Sequence, residues 1–252
     1  HLLRENLSGR NFDGIFHFAA KSLVSESNQE PLKYYHNNVG GTANLLQVAL
    51  ENDWKKCVFS STAAIYGNPM FDTISEEHPK SPISVYGQTK FAMEQLLENM
   101  CRAKAFSAIC LRYFNAAGAA SDASLGEAHD PETHLIPNAL KAAAGTGNDL
   151  TIFGNDYPTA DGTCIRDYIH VEDLADAHIR AMEVLQAEKL STFRAFNLGT
   201  GRGFSVKEVF TACECVVGHP ISHTFSVRRD GDPSRLVANA SKAQKILGWN
   251  PT

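Results

Sequence analysis

A tyrosine and a lysine stand four residues apart in VYGQTK, at Tyr86 and Lys90. On an α-helix that spacing puts both on one face, about one turn apart. A free phenol titrates near ~10, too high for a useful base at neutral pH. A nearby ammonium favours the phenolate and lowers that value. Tyr86 would then take the proton of an alcohol while hydride leaves the same carbon, which is general-base work. A solvated helix face offers the same spacing, so the rest of the chain has to decide between the two readings.

Upstream stands KKCVFSSTAAIYG. Cys57 to Ser60 reads as a short apolar strand, with Ser60, Ser61 and Thr62 at its end. Ligands in open α/β sheets bind just beyond the carboxyl ends of the strands. A hydroxyl there, followed by a loop and a YxxxK helix, resembles the arrangement of short-chain dehydrogenase/reductase enzymes. The chain resembles the extended branch of that superfamily and, within it, the UDP-glucose 4-epimerase family, over nearly all of its 252 residues.

The resemblance implies an α/β fold: a Rossmann-type parallel sheet, incomplete at the N-terminus, with a smaller C-terminal substrate domain. Residues 1–115, with returns near 165–200, would form the dinucleotide-binding part, and residues 116–252 the nucleotide-sugar part. The implied reaction interconverts UDP-galactose and UDP-glucose through a 4-keto intermediate, with tightly bound NAD. Tyr86 is the implied base, Lys90 the group that lowers its pKa and holds the nicotinamide ribose, and Thr62 the hydroxyl that orients the sugar. Phe18, Ala19, Ala20, Asn37, Ser60 and Phe114 would lie along the cofactor together with Tyr86 and Lys90. Asn115, Leu135, Phe153, Arg166, Arg229 and Asp232 would hold the UDP-sugar together with Thr62. Phe153 would stack on uracil, Arg166 and Arg229 would face the diphosphate, and Asp232 the uridine ribose. An arginine fork suits phosphate oxygens, and a carboxylate accepts from paired ribose hydroxyls. Taken alone, Arg166 reads rather as the partner of Asp167 or of another acid, and RRDGDPSRL reads as a surface loop of mixed charge.

Ala63 and Ala64 matter for what they are not. Related nucleotide-sugar dehydratases carry an acid pair directly after this threonine, and two alanines cannot remove water. Leu236 stands where the family sets pocket size, which leaves a UDP-N-acetylhexosamine 4-epimerase as an alternative. A non-catalytic protein that binds only a UDP-sugar or a partner is a third reading. Its support is the glycine-rich turn that a Rossmann domain needs for the pyrophosphate. No such turn precedes His1, and the glycines of NLGTGRG come too late in the chain to replace it. The expectation is that a segment of roughly sixty residues, about two βα units, belongs before His1.

Composition is ordinary for a soluble globular protein. The chain is 43% apolar and 20% charged with a net charge of −5, and it has no long basic run. That argues against nucleic acid as a partner. No apolar run is long enough to span a bilayer, so no membrane partner is expected. Six scattered cysteines read as free thiols, and the resemblance adds a cytoplasmic homodimer. The ten histidines suggest no ligand cluster, so no metal is expected.

The elements that must position these residues follow from pattern. Gly14 to Phe18 reads as a buried strand, Ser27 to His36 and Asn37 to Asn52 as helices, and residues 67–84 as a surface loop. Val85 to Lys104 reads as the YxxxK helix, with Pro82 and Ser84 at its start, and Ala108 to Phe114 as a strand. A loop runs to His134, and a helix begins at LIPNALKAAAG. Glu172 to Leu185 is an amphipathic helix whose His178 reads as a packed residue, and RAFNL is a strand. Ser205 with Glu208 has the form of a capping box. Thr224 to Val227 resembles a strand, and Ser241 opens a last helix.

Overall fold

Strands β1 (Ile15–His17), β2 (Lys56–Thr62), β3 (Ser107–Tyr113) and β8 (Phe193–Leu198) pair side by side, all parallel. The computed structural model describes residues 2–7, 9–147, 149–229 and 232–252. Asp230 and Gly231 of the RRDGDPSRL motif lie outside the described residues. The central strands are apolar on both faces because helices cover both, as parallel sheets require. Cys57, Phe59, Ala108 and Cys110 face α4 (Gly41–Glu51) and α5 (Val85–Ala103), whose Leu46, Met93 and Leu97 fill that side. Val58, Ile109, Leu111 and Phe196 face α7 (Val171–Ala187) and α9 (Ser241–Leu247) on the other side. Each fully buried large apolar side chain of this kind contributes about 1.5–3 kcal/mol.

The register sets the site. Thr62 lies opposite Tyr113 and His17 opposite Phe59, so the carboxyl ends of β1, β2 and β3 open on the same edge. Helix α5 arrives at that edge with its first turn. The Ser84 side chain accepts from Gly87 N at 3.1 Å and caps the helix. A Cβ on Gly87 would lie 2.6 Å from the Ala64 carbonyl oxygen. The missing side chain lets α5 press against the 3₁₀ turn Ala63–Ile65 that follows β2, and this close approach brings Tyr86 to Thr62.

Before β1 lies α1 (Leu2–Leu7), and after it α2 (Val24–Gln29) and α3 (Pro31–Tyr34). The single helix expected over 27–36 is broken at Glu30. Pro31 lacks an N–H and disfavours helical backbone in the residue before it, and Glu30 has φ −122° and ψ 58°. Tyr35–Gly40 then forms a π-helical turn that leads into α4. A second unit follows β3. Strands β5 (Leu150–Phe153) and β10 (His223–Ser226) pair in parallel. They share a small core with α6 (Leu135–Ala143) and α8 (Val206–Val217) through Ala139, Ile152 and Phe210. Helix α8 opens with the expected capping box, Ser205 and Glu208 each accepting from the other's backbone N–H. Short pairs join the two units: β4 (Asn115–Ala117) with β7 (Tyr168–His170), and β6 (Ile165–Arg166) between β9 (Phe204–Ser205) and β11 (Arg235–Leu236).

Candidate active site

Tyr86, Thr62 and Lys90 meet at the carboxyl edge of the sheet. Tyr86 stands in the first turn of α5, where its backbone N–H donates to Ser27 Oγ at 3.0 Å. Thr62 Oγ1 accepts from Ala64 N at 3.2 Å, which fixes the hydroxyl at the strand end. Lys90 is buried one turn further along α5. Its Nζ donates to the Ser60 carbonyl at 2.8 Å and lies 5.9 Å from the centroid of the Tyr86 ring.

The electrostatics differ from the simple expectation of a lowered phenol. Burial pushes the Tyr86 phenol well above its ordinary range, while hydrogen bonding to Thr62 pulls it down. Burial also lowers the Lys90 ammonium to about 8. Both groups are driven toward their neutral forms, because desolvation penalises the charged state of each. The Tyr–Lys spacing produces proximity, and burial decides the protonation.

Around this centre, β1 is followed by Phe18, Ala19 and Ala20. Phe18 is 59% exposed and its ring lies 4.7 Å from that of His178. The Ser60 hydroxyl meets Tyr113 Oη at 2.9 Å and His178 Nε2 at 3.3 Å. His178 Nδ1 sits 2.7 Å from the Leu174 carbonyl, so Nδ1 is the donor and Nε2 the acceptor. Tyr113 therefore donates to Ser60 and Ser60 to His178. Asn37 is exposed, and its amide donates to Asn38 Oδ1. Phe114 is partly buried and packs with Ile65, Tyr66 and Leu236.

The nucleotide-sugar residues gather at a second place. Leu135, Phe153, Arg229 and Asp232 line one cavity of about 380 Å³ together with Glu132 and Asn138. That volume suits a small-molecule ligand. The Arg229 guanidinium lies 4.1 Å above the Phe153 ring. Arg166 pairs with Asp232 and also donates to the Ile165 carbonyl. The acid beside Arg166 is thus Asp232, while the neighbouring Asp167 is fully buried and turned elsewhere. Asp167 accepts from the N–H groups of Thr200, Gly201 and Ala238 and from the Thr200 hydroxyl. The NLGTGRG turn therefore spends its backbone donors on a carboxylate of the same chain, which removes it as a phosphate loop. Asn115 is tied by its N–H to the Asp167 carbonyl between the two places.

Several residues of this region have no motif to announce them. Asn38 is fully buried and joins three elements: its Oδ1 accepts from Lys21 N, and its Nδ2 donates to the Lys21 carbonyl and to Thr89 Oγ1. His17 shares a 2.9 Å hydrogen bond with Thr42, and burial lowers it to about 4. Glu94 and Arg112 form a buried bidentate pair, with Arg112 Nη2 2.6 Å from Glu94 Oε2, and Ser61 Oγ donates to the same carboxylate. Burial opposes the Arg112 charge, and the Glu94 carboxylate overrides that and raises its pKa. Glu94 stands two turns after Tyr86 on the same face of α5. A lone acid on the apolar face of an amphipathic helix was the one signal available for it. Histidines also cluster, against expectation: His129 and His134 meet Glu127 and Glu132 on the loop before α6. Their spacing matches no familiar zinc pattern, so only the folded loop shows them together.

The chain belongs to the NAD dependent epimerase/dehydratase family, whose model matches residues 2–199. It is 51% identical over 250 residues to the UDP-glucose 4-epimerase of Halalkalibacterium halodurans, covering 99% of this chain and 74% of that protein. The crystal structure of UDP-glucose 4-epimerase from Brucella ovis in complex with NAD superposes with a TM-score of 0.95 at 44% identity, covering 100% of this chain and 77% of that one. The enzyme from Bifidobacterium longum in complex with NAD+ and UDP gives a TM-score of 0.94 at 39% identity, covering 100% and 75%. Within the family the chain groups with the UDP-glucose 4-epimerases, and it spans about three quarters of their length.

The residues present fit a nicotinamide–ribose half of NAD. A buried ammonium, an exposed aromatic ring and two small residues line the carboxyl edge of a parallel sheet, where such ligands bind.

Proposed function

We propose that this chain interconverts UDP-galactose and UDP-glucose through a 4-keto sugar, with NAD tightly bound. The observation that carries this reading is the meeting of Thr62, Tyr86 and Lys90 at the carboxyl edge of the sheet. NAD supplies the hydride acceptor, and its oxidised ring carries a positive charge. Tyr86 takes the proton of the sugar's 4-hydroxyl, holds it and gives it back on the opposite face. Thr62 orients that hydroxyl. Lys90 contributes a positive charge 5.9 Å from the phenol ring. A positive charge so placed favours the phenolate over the phenol. Lys90 also holds the nicotinamide ribose, and Phe18, Ala19, Ala20, Asn37, Ser60 and Phe114 complete the cofactor surface.

Arg166 and Arg229 turn to the diphosphate, Asp232 to the ribose hydroxyls, Phe153 to the uracil, and Asn115 and Leu135 complete the grip. Binding energy then sits on the nucleotide, away from the reacting carbon, and the sugar is free to turn. Ala63 and Ala64 offer no acid or base for dehydration. The division into a dinucleotide part (1–115, with returns near 165–200) and a sugar part (116–252) is part of the same proposal. So are a homodimer and a cytoplasmic location, the latter in keeping with six free cysteines. No observation favours the N-acetylhexosamine or non-catalytic alternatives.

The test is turnover of UDP-galactose, read as UDP-glucose formed, with Tyr86→Phe as the variant. General-base catalysis contributes about 10²–10⁴-fold, so the variant is expected to lose at least a hundredfold in kcat while still binding UDP. Near-normal turnover by Tyr86→Phe would remove Tyr86 as the base. A wild-type protein that holds NAD but forms no UDP-glucose would overturn the epimerase reading.

A further inference from the structure

The loop that runs into α6 gathers two imidazoles and two carboxylates. Glu127, His129, Glu132 and His134 place one potential ligand atom each within 4.8 Å of all the others. His129 Nδ1 lies 2.8 Å and His134 Nδ1 2.7 Å from the same oxygen, Glu127 Oε1. His134 Nδ1 is also 2.8 Å from Glu132 Oε1. The two rings stand 5.0 Å apart. Glu132 is the anchored member: its side chain is 5% exposed, and Oε1 also accepts from the N–H groups of Thr133 and His134.

A neutral imidazole carries one N–H, yet His134 Nδ1 faces two carboxylate oxygens at once. Two carboxylates so close repel each other unless a positive charge stands between them. A protonated His134 answers this with one positive charge and one shared N–H; a divalent cation answers it with two charges and a bond to each of the four groups. It takes the lone pairs of both imidazoles and one oxygen from each carboxylate, and its charge balances the two acids. We propose that Glu127, His129, Glu132 and His134 form a structural site for a divalent transition-metal ion of the zinc type.

The chemistry and the geometry agree. Imidazole and carboxylate donors suit zinc and its first-row neighbours rather than calcium or magnesium, which take oxygen shells. A tetrahedral site with bonds of ~2.0–2.2 Å has ligand atoms about 3.3–3.6 Å apart. The close N···O contacts need to open by less than about 1 Å, and separations of up to 4.8 Å need to close by about 1–1.5 Å, within one short loop. Four protein ligands close the coordination shell, which makes the site structural rather than catalytic. Its consequence lies next door. Glu132, Thr133 and Leu135 line the same cavity as Phe153, Arg229 and Asp232. The ion would fix the loop that forms one wall of that cavity.

The test is zinc titration of the purified protein after dialysis against a chelator, with a chromogenic chelator as competitor. One zinc per chain is expected, at micromolar affinity or tighter. His134→Ala and Glu127→Gln are each expected to weaken binding by at least about tenfold. His219→Ala, an exposed histidine on another element, should leave it unchanged. Circular dichroism checks that each variant folds, and Glu127→Gln serves if His134→Ala does not. Cobalt substitution should give a visible d–d spectrum without a thiolate charge-transfer band, and zinc should protect the 120–134 loop from protease. Absence of stoichiometric binding, wild-type affinity in both ligand variants, or a thiolate band would each overturn the proposal. The epimerase reading does not depend on these outcomes.

Discussion

Replacing Lys90 with methionine keeps the length of the stem and removes its charge. Lys90 is 4% exposed, and burial lowers its ammonium from 10.5 to about 8. In the unfolded chain the group returns to its ordinary value. Between about pH 8 and 10.5 the unfolded state therefore binds more protons than the folded one, and stability rises with pH across that window. The contribution is fully present above about 10.5 and is lost as pH falls through about 8. At ~1.36 kcal/mol per unit, the whole difference is about 3 kcal/mol, of which about 2–3 kcal/mol falls between pH 7 and 10. The Lys90→Met variant has no such proton. It also leaves the Ser60 carbonyl without the Nζ donor, which costs about 1–3 kcal/mol at every pH. That constant offset cancels when the comparison is made across pH. The assay is denaturation of wild type and variant, freed of nucleotide, at pH 7, 8, 9 and 10. Relative to the variant, wild type should gain about 2–3 kcal/mol from pH 7 to pH 10. For a chain of this size that is roughly 4–12 °C in melting temperature. A difference that stays constant with pH would mean that Lys90 carries no desolvation penalty, and the electrostatic account of the site would fall.

Two further substitutions probe other parts of the molecule. Arg166→Ala should weaken UDP binding by calorimetry more than it weakens NAD binding, by about 2–3 kcal/mol for the loss of charge-assisted hydrogen bonds; equal loss of both ligands would make Arg166 a structural residue. Glu94→Ala strands the buried Arg112 charge, and breaking such a pair costs about 3–5 kcal/mol. A fall of roughly 6–20 °C in melting temperature is expected, and a fall of a degree or less would show that water or another group already serves Arg112.

Much of the scaffold was legible because its signals are local. The strands around Cys57, Ala108 and Phe193 run apolar, since both faces of a parallel sheet are covered. Helices α5 and α8 announce their starts through Ser84 and through Ser205 with Glu208. What stayed hidden is non-local. The Arg166–Asp232 pair joins residues far apart in the chain, and so does the pair of Glu94 with Arg112. Asn37 and Asn38 are neighbours of one type, and only the π-helical turn decides that Asn38 is the one turned inward. The NLGTGRG turn stands too late in the chain for a phosphate loop, but only the fold shows Asp167 holding the N–H groups of its Thr200 and Gly201.

Tyr86 and Lys90 show where sequence spacing stops being sufficient. Four residues on a helix guarantee that phenol and ammonium are neighbours, and an ammonium next to a phenol argues for a phenolate. Burial is a property of the fold, and it acts on both groups in the direction of neutrality. Lys90, 5.9 Å from the ring, favours the phenolate when it is charged. That charge competes with the desolvation that raises Tyr86 above its ordinary range. On the proposed mechanism, a further positive charge at the phenol, such as that of an oxidised nicotinamide ring, would favour the phenolate in the same sense as Lys90. The burial that penalises the Lys90 ammonium in the folded chain is the same burial that raises the Tyr86 phenol.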